Sequence, residues 1–162
     1  MVKKYVFGTP IETDAVVKEI KETSWKDDIF EKEGNVFHYL LKTDEIVYGL
    51  GENVRGMNKR GWRYVSNCSD NPNHCEHTNS LYGAHNFIMM GDGVNETYGL
   101  FVDTPGTVIF DVGYTDIDRL SIAMENENYK IYLIEGETYQ DVVREFREMI
   151  GRSYIAPRWA FG

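Results

Sequence analysis

The sequence predicts a mainly all-β fold, a sandwich of two antiparallel β-sheets followed by one C-terminal amphipathic helix. Three observations carry this. Short runs rich in Val, Ile, Tyr and Phe recur along the chain with Gly, Asn and Asp between them, as strands and tight turns do. One segment near the C-terminus changes its apolar period from that of a strand to that of a helix. The length of 162 residues, 42% of them hydrophobic and 27% charged, suits one domain. Such a domain buries roughly two-thirds of its unfolded surface without help from metals or disulfides, and it is too short for a barrel enzyme of ordinary size.

In chain order, strands are expected over residues 28–33, 36–42, 45–51, 61–66, 81–90, 97–103, 107–112, 118–124 and 128–135, with turns at signals such as Glu33-Gly34-Asn35 and Asp92-Gly93. In the last strand Tyr129, Ile131 and Leu133 point one way and Lys130, Tyr132 and Ile134 the other. Both faces are partly apolar, which suits a strand lying between layers. From Thr138 the apolar residues Tyr139, Val142, Val143, Phe146, Met149 and Ile150 form a helical stripe over 138–150. Thr138 and Asp141 resemble a capping box, and Gly151 is placed to supply a left-handed C′ residue. Residues 13–22 fit a short helix through Val16, Val17 and Ile20, and a strand equally well.

Charge excludes some partners. With 17 Lys and Arg against 26 Asp and Glu the net charge is -9, the wrong sign for nucleic acid or an anionic membrane surface. No stretch approaches a membrane span, and the apolar run before Gly8 is too short for a signal-peptide core. Two cysteines without an export signal point to free thiols and a cytoplasmic location. The sequons Asn67-Cys68-Ser69 and Asn95-Glu96-Thr97 matter only in a secreted chain. Gly49, Gly51, Gly56 and Gly61 do not open a helix after a strand, so no dinucleotide loop is present.

Ser66 to Asn79 contains almost nothing that could enter a core and reads as a long solvent-facing loop, the first place to look for a site. It holds Cys68, His74, Cys75 and His77, residue types that ligate zinc at a spacing that fits neither a C-x-x-C knuckle nor a helical His pair. Glycoside chemistry uses paired carboxylates, and Glu52, Asp70, Asp103 and Asp111 qualify by type. Glu52, Asp103 and Asp111 fall at expected strand ends, where acids commonly cap turns; Asp70 lies inside the loop.

Read in order, Val47-Tyr48-Gly49-Leu50-Gly51-Glu52, Asn58-Lys59-Arg60-Gly61, Asn67-Cys68-Ser69-Asp70 and Leu81-Tyr82-Gly83-Ala84-His85-Asn86-Phe87 resemble glycoside hydrolase family 31. Tyr98-Gly99-Leu100-Phe101-Val102-Asp103, Phe110-Asp111-Val112-Gly113 and Pro157-Arg158-Trp159-Ala160-Phe161-Gly162 continue the match, which covers 45–162 and leaves 1–44 with little of it. The resemblance implies a galactose-mutarotase-like amino-terminal β-sandwich over 1–152. It also implies a linker, 153–162, into a (β/α)8 barrel that carries the family's aspartate nucleophile and general acid. This chain is then expected to hold no catalytic residue, to need no cofactor or metal, and to have its own barrel and an oligosaccharide as partners.

By the same resemblance Asp70 matches a loop aspartate that contacts sugar hydroxyls and is typical of the α-glucosidase branch, although the family also holds α-xylosidases, isomaltases, transglucosylases and lyases. An ionised carboxylate accepts from two adjacent hydroxyls, which makes the role chemically sound. The competing role for Asp70 is to shape a Ser-Asp-Asn-Pro turn. A free-standing carbohydrate-binding module and a zinc-binding regulatory domain are the readings from other classes.

Overall fold

Alternation along the strands sorts side chains into layers in the computed structural model, which describes residues 1–26 and 29–161. Its strands are β1 (Val2–Phe7), β2 (Glu31–Glu33), β3 (Val36–Leu40), β4 (Tyr48–Gly51), β5 (Trp62–Ser66), β6 (Ala84–Gly91), β7 (Thr97–Asp103), β8 (Val108–Val112), β9 (Arg119–Met124) and β10 (Tyr129–Gly136). A helix α1 (Tyr139–Ile150) and a 3-10 turn (Arg158–Phe161) complete the described elements. The order β1-β10-β7-β6-β4 makes one five-stranded sheet and β2-β3-β9-β8-β5 the other. Every ladder is antiparallel. The expected two-sheet sandwich with one C-terminal helix is therefore the fold observed.

In β9, Leu120, Ile122 and Met124 are buried while the residues between them are not, so this strand faces the core on one side only. β10 behaves differently. Tyr129, Ile131 and Leu133 join the core between the sheets, and Tyr132 and Ile134 join a second cluster under α1 with Phe87, Phe101, Val142, Phe146 and Met149. The Phe146 ring stacks on Phe87 at 3.9 Å between centroids and 7° between planes. Gly99 in β7 makes room for this, because a Cβ there would sit 2.5 Å from Val142 Cγ1.

The capping box is present: Asp141 N–H donates to Thr138 Oγ1 (3.2 Å), and Thr138 N–H donates to the Asp141 carboxylate (3.1 Å). Gly151 has the positive φ expected of it, 87°, but its ψ of -179° is extended rather than left-handed helical. The carbonyl of Met149 is met instead by the amides of Val17 (3.0 Å) and Lys18 (3.2 Å). This contact explains residues 13–22, which form neither the helix nor the strand expected. They lie over the end of α1, with Ala15, Val16 and Ile20 against its cluster, and a single parallel bridge ties Glu22 to Lys4.

Other boundaries also differ. β1 was not foreseen, and it pairs with β10 from Val2↔Ile134 to Phe7↔Tyr129. The strand expected over 28–33 covers only 31–33, and Asp28 lies outside the described residues. The strand expected from 81 starts at Ala84, because Gly83 is held in a turn: its N–H donates to Glu52 Oε2 (3.0 Å) and its carbonyl accepts from Glu52 N–H (2.9 Å). β4 starts at Tyr48, not 45, and shifts register between Gly49 and Gly51. Both glycines have positive φ (121° and 67°) and press against the backbones of Phe87 and Gly83, where a Cβ does not fit.

Asp111, one of the expected carboxylate candidates, is a clasp within this frame. It accepts from Arg63 Nη2 (3.0 Å), Thr115 Oγ1 (2.6 Å) and the amides of Tyr114 (3.1 Å) and Thr115 (3.0 Å). Burial pushes its pKa up, but the Thr115 hydroxyl, the amides and Arg63 outweigh burial and hold it below the usual carboxylate range.

Two measurements check this packing. Phe146→Ala is expected to cost about 3–5 kcal/mol in chemical denaturation; a loss below about 1 kcal/mol would put the stripe in solvent. Because the folded-state pKa of Asp111 is depressed, its contribution is present above the unfolded carboxylate value and is lost as pH falls through the folded one. Asp111→Asn is thus expected to be less stable than the parent at pH 7, with the gap closing as pH falls through the depressed folded-state value. A gap independent of pH would show that the Asp111 charge contributes nothing.

Candidate functional site

The chain crosses from one sheet to the other between β5 and β6, and the crossing is the polar loop singled out from the sequence. Its ends are tied to each other. Asn67 N–H donates to Ser80 Oγ (3.3 Å), Ser69 N–H donates to the carbonyl of Leu81 (3.0 Å), and Ser80 and Leu81 are buried. Within the far half, Asn71 caps Asn73 N–H (3.0 Å), and Cys75 to Thr78 closes a turn through Thr78 N–H to the Cys75 carbonyl (2.9 Å) and Cys75 N–H to Thr78 Oγ1 (3.0 Å).

Asp70 is exposed on this loop, and Tyr82 Oη donates to its Oδ1 at 2.8 Å. That bond pushes the Tyr82 phenol pKa up, since ionising the phenol would surrender the bond and set two anions together. Among the described residues the second carboxylate oxygen of Asp70 has no hydrogen-bond partner. Tyr82 was read from sequence as a strand residue; it sits in the turn before β6, where its hydroxyl reaches back across the loop.

The other acids are engaged in the scaffold. Glu52 accepts from Gly83, and Asp111 forms the clasp described above. Asp103 is buried, accepting from Thr13 Oγ1 (2.6 Å) with Lys130 Nζ at 3.9 Å. The four loop residues of zinc-ligating type diverge. Cys68 Sγ faces the carbonyl of Ala84 (3.9 Å) and Cys75 Sγ faces Thr78 Oγ1 (3.7 Å). The His74 ring lies 6.4 Å from that of Tyr82, and the His77 ring 6.2 Å from that of Trp62. Among the described residues no group of three or more His, Cys, Asp or Glu side chains is placed to hold a metal ion. Both cysteines are free and exposed. The Thr78 hydroxyl and nearby amides draw the Cys75 thiol pKa down.

At the foot of the loop is a cleft of about 640 Å³ lined by Asn67, Cys68, His85, Asn86, Phe101 and Asp103, among others. The His85 imidazole stacks on Phe101 at 5.8 Å, and desolvation lowers its pKa. Arg55 also reaches the loop: Nε donates to the carbonyl of Glu76 (2.8 Å) and Nη1 to that of Arg63 (2.6 Å). Nothing in the sequence marks Arg55 for this, because its partners are backbone carbonyls.

The fold is shared with known proteins. A family model for the glycosyl hydrolase 31 N-terminal galactose mutarotase-like domain matches residues 8–111. An α-glucosidase from Saccharolobus solfataricus is 32% identical over 123 residues, 75% of this chain and 18% of the relative. An α-xylosidase from Lactiplantibacillus pentosus is 31% identical over 121 residues, 74% of this chain and 15% of the relative. A solved GH31 dextranase from Flavobacterium johnsoniae, in complex with glucose, matches with a TM-score of 0.69 at 25% identity over 85% of this chain and 17% of its own. The chain thus spans less than a fifth of the length of these curated relatives. The match reaches back to residue 8, into the stretch where sequence motifs were sparse, and by that match the chain belongs to glycosyl hydrolase family 31 and carries its N-terminal galactose mutarotase-like domain.

Proposed function

We propose that the chain is the amino-terminal domain of a cytoplasmic retaining α-glucosidase that removes terminal α-linked glucose from oligosaccharides. In this reading residues 1–152 are the domain and 153–162 lead into a (β/α)8 barrel that holds the nucleophile and the general acid. The β5–β6 loop forms part of the wall of the sugar pocket, and Asp70 accepts hydrogen bonds from substrate hydroxyls.

One observation carries the assignment of Asp70: its carboxylate is exposed, one oxygen is held by the Tyr82 hydroxyl at 2.8 Å, and the other is open. A carboxylate oriented in advance accepts a hydroxyl with little further loss of side-chain freedom, and charge-assisted bonds discriminate strongly against a sugar that lacks the hydroxyl. The linker is supported by Tyr154, Ile155, Trp159 and Phe161, which are almost wholly exposed and would be covered by a neighbouring domain. The choice of glucose over xylose rests on the loop aspartate, since the relatives include both an α-glucosidase and an α-xylosidase.

In the full-length protein Asp70→Ala is expected to lower kcat/KM on short maltooligosaccharides by roughly ten- to a hundredfold, the scale of one charged hydrogen bond. Its melting temperature is expected to stay within a few degrees of the parent, because an exposed loop residue has little packing to lose. Parental kcat/KM would remove the sugar-binding role, and a large drop in melting temperature would return Asp70 to the turn. The 162-residue chain by itself is expected not to hydrolyse p-nitrophenyl α-glucoside; turnover would mean that catalytic residues lie within it.

A further inference from the structure

The far half of the β5–β6 loop has little to hold it. Residues 72–77 are all exposed and none is apolar enough to anchor in a core. Fixing such a stretch costs backbone entropy at every residue, so an ordered position needs ties from outside. Among the described residues one hydrogen bond reaches residues 71–79 from beyond the loop, the bond from Arg55 Nε to the carbonyl of Glu76 at 2.8 Å.

We propose that Arg55 is a positioning residue for Asp70, its guanidinium holding the far half of the loop against β5. The group makes three kinds of contact at once. Nε holds Glu76, Nη1 donates to the carbonyl of Arg63 in β5 (2.6 Å), and the guanidinium carbon lies 4.3 Å from the Trp62 ring and 4.9 Å from the Tyr64 ring. Only a planar cation donates in its plane while it stacks on a ring face, so lysine does not replace it. His77, next to Glu76, rests on the same Trp62.

Arg55 is itself held in place. The buried Lys59 ammonium donates to the side-chain Oδ1 of Asn53 (2.8 Å) and to the backbone carbonyl of Gly56 (2.9 Å), tying down a residue on either side of Arg55. From Glu76 the tie runs through the Cys75–Thr78 turn to His74, whose ring meets Tyr82 edge-on, and Tyr82 holds Asp70. Arg55 touches no substrate in this scheme. Its effect on catalysis is indirect and rests on the reading of Asp70 given above.

The test compares Arg55→Lys and Arg55→Ala with Asp70→Ala in the full-length protein. Hydrogen–deuterium exchange of the peptide covering 67–80 is expected to quicken about tenfold in both Arg55 variants, with β8 and β9 peptides unchanged, as for a local opening. The same variants are expected to lose about three- to tenfold in kcat/KM, and to lose nothing more in an Asp70→Ala background, as expected of residues that act as a unit. Parental exchange in both variants would overturn the proposal. So would a kcat/KM loss that persists undiminished without Asp70, since Arg55 would then act by another route. Should Asp70→Ala alone keep parental kcat/KM, the sugar-binding reading falls, and the exchange rates still decide whether Arg55 holds the loop.

Discussion

β10 has no face to give to water, and the arrangement of the other layers follows from that. All residues from Tyr129 to Ile134 are buried. Tyr129, Ile131 and Leu133 fill the space between the sheets, and Tyr132 and Ile134 would form an open apolar patch if α1 did not cover them. Each such side chain is worth about 1.5–3 kcal/mol when buried, so the helix is an obligatory layer rather than an appendage. Lys130 is the one buried charge in this strand; its ammonium meets Glu12 at 2.8 Å and Asp103 at 3.9 Å. With β10 placed, its neighbours β1 and β7 are in register on either side, and β7 in turn sets β6.

That order reaches the loop through backbone. β6 starts at Ala84, where β4 bends at its Gly49-Leu50-Gly51 bulge and Gly51 pairs with Ala84. Glu52, the next residue, holds Gly83 by both its amide and its carboxylate, which fixes the turn containing Tyr82. The Tyr82 hydroxyl therefore projects from a rigid base, although the loop it steadies is polar and exposed. A side chain carried on a loop is only as well placed as the residues that support it, and here the support is a glycine bulge in β4 and the Glu52 carboxylate holding the backbone of Gly83.

How much of this was legible in the sequence depended on whether the signal was local. The two-faced pattern of β10, the stripe of α1 and its Thr138–Asp141 box are local, and each stands as read except that Val143, counted in the stripe, is exposed. β1 was missed because Val2 to Phe7 carries lysines at positions 3 and 4 that break the apolar run, and only pairing with β10 makes it a strand. Residues 13–22 offered Val16, Val17 and Ile20 to either period; what decides them is the carbonyl end of a helix more than a hundred residues later. The loop was visible as a polar stretch too long to be idle, and Asp70 through a family motif. Tyr82 and Arg55 were not assigned roles, since a phenol reaching a carboxylate across a turn and a guanidinium bonded to carbonyls leave no spacing to read.

The same contrast separates the acids. Among 26 Asp and Glu residues, type alone made Glu52, Asp70, Asp103 and Asp111 equivalent candidates. The structure divides them by what is left over once their bonds are counted. Asp111 has its acceptor positions taken by Arg63, Thr115 and two amides, Asp103 is buried against Thr13 and Lys130, and Glu52 holds a turn. A carboxylate so engaged gives up scaffold bonds to bind anything else, at a cost of about 1–3 kcal/mol for each bond left unmade. Among the described residues the second oxygen of Asp70 has no such bond to give up. Its phenol partner fixes the direction of one oxygen without neutralising the charge, so the acceptor strength of the other remains available to a neutral hydroxyl donor. In the proposed reading the acceptor for a sugar hydroxyl is thus, of these four acids, the one least engaged in the fold.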